Sequence, residues 1–304
     1  MTPTSRPAPA RSSAPSCSQA APATSLRDDA ALPVVALACT APSVENSQPW
    51  RWRTDRERSA PTLELTADRD RWRTGTDPAG RQMLLSCGVA LQHAAWGARA
   101  LGWEPQVRLG APLRAVRPPG VDGPPARLAR LVLRPGAAAP PPDAVALLAA
   151  RCTDRRRFTA WPVPAQQLEA LAGAARAHGA TALAVTDPAA RFRCGLLADR
   201  ALALGELAPA DGLVLLGSGT DTPAGWLRAG AALGSLWLEA TRAGLTVVPL
   251  SAPVEDPSVR AALSSEVLGG RWAPHLLLRV GWQALGRHQL DRTPRRPLAE
   301  VVDR

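Results

Sequence analysis

The chain has 304 residues, 46% of them apolar, which is enough for a sizeable buried core and excludes a short peptide hormone or a fibrous protein. The formal net charge is +10, and all 36 basic residues are arginine because the sequence contains no lysine. These arginines are spread along the whole chain rather than gathered in one motif, so the charge does not favour a nucleic-acid module.

The cysteines and the apolar runs restrict the cellular compartment. The five cysteines are odd in number and widely spaced, and they form no CxxC or Cys/His pattern, which predicts reduced thiols and no metal site. No apolar run approaches the roughly 18 residues that a membrane-spanning helix needs, and the N-terminus lacks the apolar region of a signal peptide. We therefore expect a cytoplasmic protein without a membrane span.

Composition and periodicity predict the elements in chain order. Residues 1–27 are mainly Ala, Pro, Ser, Thr and Arg, which predicts a disordered tail. Helices are predicted over residues 28–38, 80–101, 165–178, 189–204, 223–243 and 257–268, and strands over residues 63–66, 106–109, 128–133, 181–185, 213–216 and 275–280. Because helices and strands do not alternate regularly, we expect an α+β fold. The Pro-rich segment 111–125 is a candidate lid.

Two of the predicted helices repeat each other. The apolar stripe of helix 80–101 recurs 142 residues later with the same spacing, in the pairs Leu84 and Trp226, Gly88 and Gly230, Leu91 and Leu233, Ala95 and Trp237, and Ala98 and Ala240. We interpret this as an internal duplication, with a first half at residues 28–142 and a second half at residues 143–304. The paired glycines predict that the two helices approach each other closely.

A polar loop, residues 41–50, follows the first predicted helix. It reads Ala-Pro-Ser-Val-Glu-Asn-Ser-Gln-Pro-Trp and contains Asn46, the only asparagine of the chain. The amides of Asn46 and Gln48 present donors and acceptors side by side, which matches the O, N–H, O edge of a pyrimidine-type ring such as a flavin. The alternative is a plain Asx turn with Gln48 in solvent.

An arginine run, residues 151–157, precedes the predicted helix at 165–178. Arg151, Thr153 and Arg155 occupy alternate positions, so in an extended backbone they point to one side. Forked guanidinium donors with a nearby hydroxyl suit a phosphate monoester. The alternative is a run of solvated charges.

These two segments resemble the two flavin-handling motifs of the nitroreductase family. The polar loop reads APSxxNxQPW, and the arginine run is followed by Phe158 and then by Pro-Val-Pro. More narrowly, the chain is similar to the fused, Acg-type members from about residue 28 to its C-terminus, with later blocks at 226–250 and 293–298. The motifs occur here in reverse order and about one repeat apart. A fused dimer could keep one motif in each half and still assemble a site.

The resemblance implies a nitroreductase-like fold, formed as an internal pseudo-dimer around one FMN. It places three groups of residues at the cofactor: Pro42, Ser43, Asn46 and Gln48 at the ring, Arg151, Thr153, Arg155, Arg295 and Arg296 near the phosphate, and Pro249 and Leu250 from a later block. Two positions depart from the family pattern, because Cys152 replaces the usual second arginine and Glu45 stands where a histidine is common. A carboxylate near a ring that gains negative charge is unfavourable unless it is neutralised or points away.

The implied function is that of an oxidoreductase. Hydride would pass from NAD(P)H through FMN to a small nitroaromatic or quinone-type acceptor, in a chain that is monomeric because its dimer interface is internal. Two alternatives stay open: a protein that holds FMN under a lid without efficient turnover, and, if no flavin binds, a basic module for nucleic acid or another partner. Dinucleotide-fingerprint, P-loop and nucleophile-elbow motifs are absent from the sequence.

Overall fold

A computed structural model describes residues 25–55, 60–110, 126–136, 143–201, 207–286, 288 and 290–303. The predicted tail before residue 25 and the candidate lid at 111–125 lie outside these residues. None of the described helices is long and apolar enough to cross a membrane.

The first half forms one antiparallel sheet that packs against a long helix. Its elements are α1 (Ser25–Ala38), β1 (Trp50–Asp55), β2 (Thr62–Ala67), α2 (Arg81–Ala100), β3 (Trp103–Leu109) and β4 (Arg127–Pro135). The strands pair in the order β3-β4-β2-β1, each antiparallel to its neighbour. Alternate residues of β1, Trp50 and Trp52, are fully buried, as expected for a strand with one face on the core.

The second half forms the other sheet. Its elements are α3 (Ala144–Ala150), α4 (Ala165–Arg176), β5 (Thr181–Ala184), α5 (Pro188–Ala201), β6 (Gly212–Ser218), α6 (Pro223–Arg242), β7 (Thr246–Leu250), α7 (Ala252–Glu255), α8 (Pro257–Ala262) and β8 (Ala273–Gly281). A π-helical turn, Leu263–Val267, continues α8. The strands pair antiparallel in the order β7-β8-β6-β5.

The two halves have the same topology. The strands β3, β4, β2 and β1 correspond in order to β7, β8, β6 and β5, and α1 packs on α2 as α4 packs on α6. The helices α2 and α6 cross at their glycines. A Cβ atom on Gly88 would lie 2.2 Å from the carbonyl oxygen of Leu227, and one on Gly230 would lie 2.1 Å from that of Leu85. The predicted close approach of the repeated helices is therefore confirmed.

The C-terminal arm, residues 290–303, leaves the second half and ends on the first-half sheet. Its last elements are α9 (Leu298–Val301) and β9 (Val302–Asp303). β9 pairs in parallel with β1, with Val302 opposite Trp52, and so forms the fifth strand of that sheet. Arg51 donates a hydrogen bond to Asp303 at 2.9 Å across this pairing. The arm thereby runs past the polar loop.

Candidate functional site

Two adjoining cavities lie between the polar loop and the arginine run. Their volumes are about 350 Å³ and about 1080 Å³. Both are lined by Pro42, Ser43 and Glu45 from the loop and by Thr153 and Arg155 from the run, so they form one continuous cleft. The fold thus brings together two segments that belong to different halves of the chain.

The smaller cavity is built by both repeated helices. Leu85 and Val89 of α2 line it together with Leu233 and Trp237 of α6. Residues at the ends of β7 and β8 complete the walls, namely Pro249, Ser251, His275 and Leu276. Polar and charged side chains share these walls, among them Gln82 and Glu255. Apolar surface combined with placed polar groups is typical of a site for a small organic ligand.

The wider cavity is strongly basic. Its wall includes five arginines: Arg151, Arg155, Arg156, Arg292 and Arg295. The charge of Arg156 is balanced, because its guanidinium donates hydrogen bonds of 2.6 to 3.0 Å to the carboxylate of Asp154. The other four arginines form no ion pair with any described residue. This end of the cleft is suited to an anion.

Arg151 is the most buried of these arginines, with 5% of its surface exposed. Its guanidinium lies over the ring of Trp237 at 4.8 Å. Its Nε and Nη1 atoms are buried and have no hydrogen-bond partner among the described residues. Burial, and next the charge of Arg295, lower its pKa to about 10, so it remains a cation at neutral pH. An unpaired buried cation is unfavourable, which points to an anionic ligand at this place.

The polar loop has a strained backbone. Glu45, Asn46 and Gln48 have φ angles of 49°, 54° and 47°, in the left-handed region that residues other than glycine rarely adopt. Hydrogen bonds hold this shape, from Gln48 N to Ser43 Oγ at 2.9 Å and from Val44 N to Ser86 Oγ at 3.3 Å. Strain of this kind persists where the surroundings fix it and is common at functional sites.

The C-terminal arm occupies the amides of the loop. Asn46 Nδ2 donates to Pro294 O at 3.0 Å, and its Oδ1 accepts from Arg295 Nη1 at 3.2 Å. Gln48 Oε1 accepts from the backbone N–H of Arg296 at 2.8 Å. The side-chain amides that the sequence assigned to a flavin ring are therefore hydrogen-bonded to the arm.

Eight of the eleven residues expected at the cofactor line the cleft: Pro42, Ser43, Asn46, Arg151, Thr153, Arg155, Pro249 and Arg295. Gln48 lines neither cavity and is 4% exposed, which also excludes the solvated alternative. The guanidinium of Arg296 binds other residues of the protein: its Nη1 pairs with Asp68 at 3.0 Å and donates to Gln48 O at 3.2 Å. Leu250 packs in the core of the second half. These three residues lie outside the walls of the two cavities, and their contact with a cofactor stays a prediction.

Glu45, which occupies a position where the family often has histidine, is exposed and forms an ion pair with Arg73 at 2.8 Å. Its charge at the cleft is therefore balanced. The free thiol of Cys152, the other departure, lies half-buried in the wall of the wider cavity.

Sequence reasoning missed several residues of the cleft. Arg81 lines the smaller cavity, and its Nη1 donates to Val254 O at 3.0 Å. Burial, and next the charge of Arg260, lower the pKa of Arg81. Arg292, on the arm, lines the wider cavity. Arg81 carried no signal, because arginines occur throughout this chain, whereas Arg292 begins the short arginine cluster 292–296, whose size suits a single phosphate group.

His275 is a buried histidine of the smaller cavity. Its Nε2 lies 2.7 Å from Ser218 Oγ, and burial lowers its pKa to about 4. It is therefore neutral at physiological pH. In the sequence it belongs to no recognisable triad or metal-ligand spacing, which had indicated an ordinary core or surface histidine.

Comparison with known proteins shows where this fold and cleft belong. No protein-family model matches the chain. A Mycobacterium tuberculosis protein named as a candidate NAD(P)H nitroreductase is 33% identical over 326 residues, which cover 89% of this chain and 90% of that protein. Acg, from the same organism and named in the same way, is 27% identical and covers 92% of this chain and 97% of its own length.

A solved structure supports the same assignment at the level of the fold. The crystal structure of a candidate nitroreductase from Anabaena variabilis matches with a TM-score of 0.52 at 13% identity, over 74% of this chain and 70% of that one. From the near full-length sequence match, this fold and the two motifs, we conclude that the chain belongs to the nitroreductase family.

Proposed function

We propose that the chain binds FMN in the cleft and passes reducing equivalents from NAD(P)H to a small acceptor such as a nitroaromatic or a quinone. The observation that carries this proposal is the guanidinium of Arg151, which is buried without an acceptor beside the wider cavity. A phosphate monoester would supply both the missing charge and the missing acceptors. Family membership favours a flavin as the bearer of that phosphate.

The wider cavity fits the phosphate end of FMN. Arg151 lies deepest, and Thr153 adds a hydroxyl group to the same wall. Arg295 is positioned by Thr293, whose Oγ1 accepts at 2.9 Å, and its Nε atom is buried without a partner. Arg155 completes the set from the exposed side, with its backbone carbonyl held by Arg279 at 3.0 Å. Charge-assisted bonds from such groups are the strong ones.

The smaller cavity fits the ring end. Its apolar side chains offer a surface for the flat ring, and Arg81 supplies a partly desolvated positive charge near the carboxylate of Glu255, which is hydrogen-bonded to Gln82. Bound FMN supplies the electron-transfer chemistry, and the chain contributes placement and electrostatics. A cation at the ring end favours electron uptake because the ring gains negative charge. In this assignment Asn46 and Gln48 act indirectly, by fixing the strained loop against the arm.

The ion pair of Glu45 provides the charge neutralisation that a carboxylate near a flavin ring requires. A bare carboxylate at the cleft would oppose reduction of a flavin, whereas one paired with Arg73 at 2.8 Å adds little net charge. This pairing favours turnover over mere storage of the cofactor.

An absorbance spectrum of the purified protein loaded with FMN tests the proposal. We expect visible flavin bands that remain with the protein on desalting and bleach when NADPH is added without oxygen. Bands that persist with NADPH and with NADH would show that the protein holds the flavin without turnover. A protein that retains no flavin would contradict the proposal and favour a basic interaction module.

A further inference from the structure

The wider cavity has more positive charge than a cofactor phosphate neutralises. Four of its arginines form no ion pair with any residue that the structure describes: Arg151, Arg155, Arg292 and Arg295. Of the acids in the wall, Asp154 pairs with Arg156 and Glu45 with Arg73, which leaves Asp291 as the remaining described carboxylate. A phosphate monoester carries at most two negative charges, so positive charge remains when it is bound.

The arginines lie at two depths. Arg151 is 5% exposed and Arg295 is half-buried, whereas Arg155 and Arg292 are exposed at the rim. Burial lowers the pKa of both Arg151 and Arg295, and the charge of the nearby Arg292 lowers it further. Like charges so close together destabilise the protein unless an anion also binds at the rim.

The electron donor brings such an anion. A reduced nicotinamide dinucleotide carries a diphosphate, and it must exchange with solvent in every turnover while the cofactor stays bound. An exposed pair of guanidinium groups beside the cofactor phosphate meets both needs, because forked donors match phosphate oxygens and an open basic rim attracts anions from solution.

We propose that Arg292, together with the exposed edge of Arg155, binds the diphosphate of the dinucleotide donor, while Arg151, Arg295 and the inward edge of Arg155 hold the phosphate of FMN. This inference rests on the proposed function. It assigns the rim of the wider cavity to a second ligand. Arg292 is the residue whose replacement distinguishes binding of this ligand from binding of FMN, since Arg155 lines both cavities and Arg292 lines the wider one.

Binding of ADP to FMN-loaded protein tests the inference without turnover. ADP offers the diphosphate without the reactive ring, and titration calorimetry at low ionic strength measures its affinity. We expect Arg292→Ala to weaken ADP binding about tenfold, the effect of one lost charge-assisted contact, and to leave FMN affinity within about twofold. Arg292→Lys should keep most of the affinity, and Arg157→Ala is the matched control, because Arg157 is exposed but lines neither cavity.

Three results would overturn the inference. ADP could bind equally to the parent and to Arg292→Ala, or Arg292→Ala could release FMN as readily as Arg151→Ala. ADP could also bind only in the absence of FMN, which would assign the rim to a diphosphate-bearing flavin instead. Failure of the proposed function is distinct, since the parent would then retain no FMN in the first step.

Discussion

At the scale of single residues, Arg151 affects stability and ligand binding in opposite directions. Its guanidinium is desolvated and unpaired, with a pKa lowered to about 10, and its one described contact with a ring is to Trp237 at 4.8 Å. A buried cation without a partner destabilises the ligand-free fold. The same group binds an incoming anion strongly, because it does not have to release another acceptor first.

Replacing Arg151 by methionine should separate these two effects. In Arg151→Met we expect FMN affinity to fall about tenfold to a hundredfold, which corresponds to about 1.5–3 kcal/mol for a bond to a charged group. The melting temperature of the ligand-free protein should stay the same or rise, because the uncompensated charge is gone. FMN fluorescence titration and thermal unfolding measure the two quantities.

Arg157→Met provides the control, since it removes an exposed arginine from the same run outside the cleft. It should leave both quantities unchanged. A lower melting temperature in Arg151→Met with unchanged FMN affinity would show that Arg151 stabilises the fold rather than binds the cofactor.

His275 makes stability depend on pH. Burial lowers its pKa from the ordinary 6.5 to about 4, so between these values the unfolded chain binds a proton that the folded chain does not. The free energy of unfolding therefore carries no penalty from His275 above pH 6.5, and it decreases by up to about 3 kcal/mol as the pH falls from 6.5 towards 4. In His275→Gln, which can still reach Ser218, we expect a smaller loss of unfolding free energy over this range, as measured by urea unfolding of the ligand-free protein. An equal loss in both proteins would assign the pH dependence elsewhere, with buried His93 the next residue to replace.

At the scale of elements, periodicity predicted most of the fold. The predicted helices and strands correspond to α1, α2, α4, α5, α6 and α8 and to β2, β3, β4, β5, β6 and β8, with ends that differ by a few residues. β1, in which Trp50 and Trp52 alternate with arginines, was not among the strands predicted from periodicity. β7 was missed because Pro249 interrupts its apolar run; proline is tolerated there because β7 is an edge strand.

The candidate site was less predictable than the elements around it. Arg151 and Thr153 could be chosen from residue type and spacing, since one short extended segment presents them together. Gln48 and Arg296 could not be placed, because they meet through hydrogen bonds between residues 248 positions apart. The course of the C-terminal arm decides that contact, and no local pattern describes it.

The crossing of α2 and α6 depends on glycine. In Gly230→Ala the new Cβ would lie 2.1 Å from the carbonyl oxygen of Leu85 and 2.8 Å from its carbonyl carbon, both of them backbone atoms. We expect destabilisation of at least about 3 kcal/mol, the upper end for overpacking, because the helices themselves must separate. Denaturant unfolding measures it.

Gly195→Ala in α5 is the control, since nothing lies within 4 Å of its added Cβ. The higher helix propensity of alanine should stabilise that variant by up to about 1 kcal/mol. Equal stability of Gly230→Ala and the parent would contradict the close crossing.

At the scale of the whole molecule, the two halves of the pseudo-dimer differ in the connection that carries the polar loop. Eleven residues, 39–49, join α1 to β1 and contain the polar loop, whereas four residues, 177–180, join the corresponding α4 to β5. The shorter connection has no room for a second loop of this kind. The repeat therefore supplies two sheets and two central helices but only one polar loop in the described chain.

We therefore predict a monomer that binds one FMN. The surface that two subunits would otherwise bury between them lies inside the chain, where α2 packs on α6 and β9 completes the first-half sheet. Sedimentation equilibrium over a range of concentrations should give the mass of one chain, 31.9 kDa, and flavin absorbance should give one FMN for each chain. A stable dimer would show that a further surface associates. Two FMN for each chain would show that the shorter connection also forms a site, and either result would contradict the single-cleft pseudo-dimer.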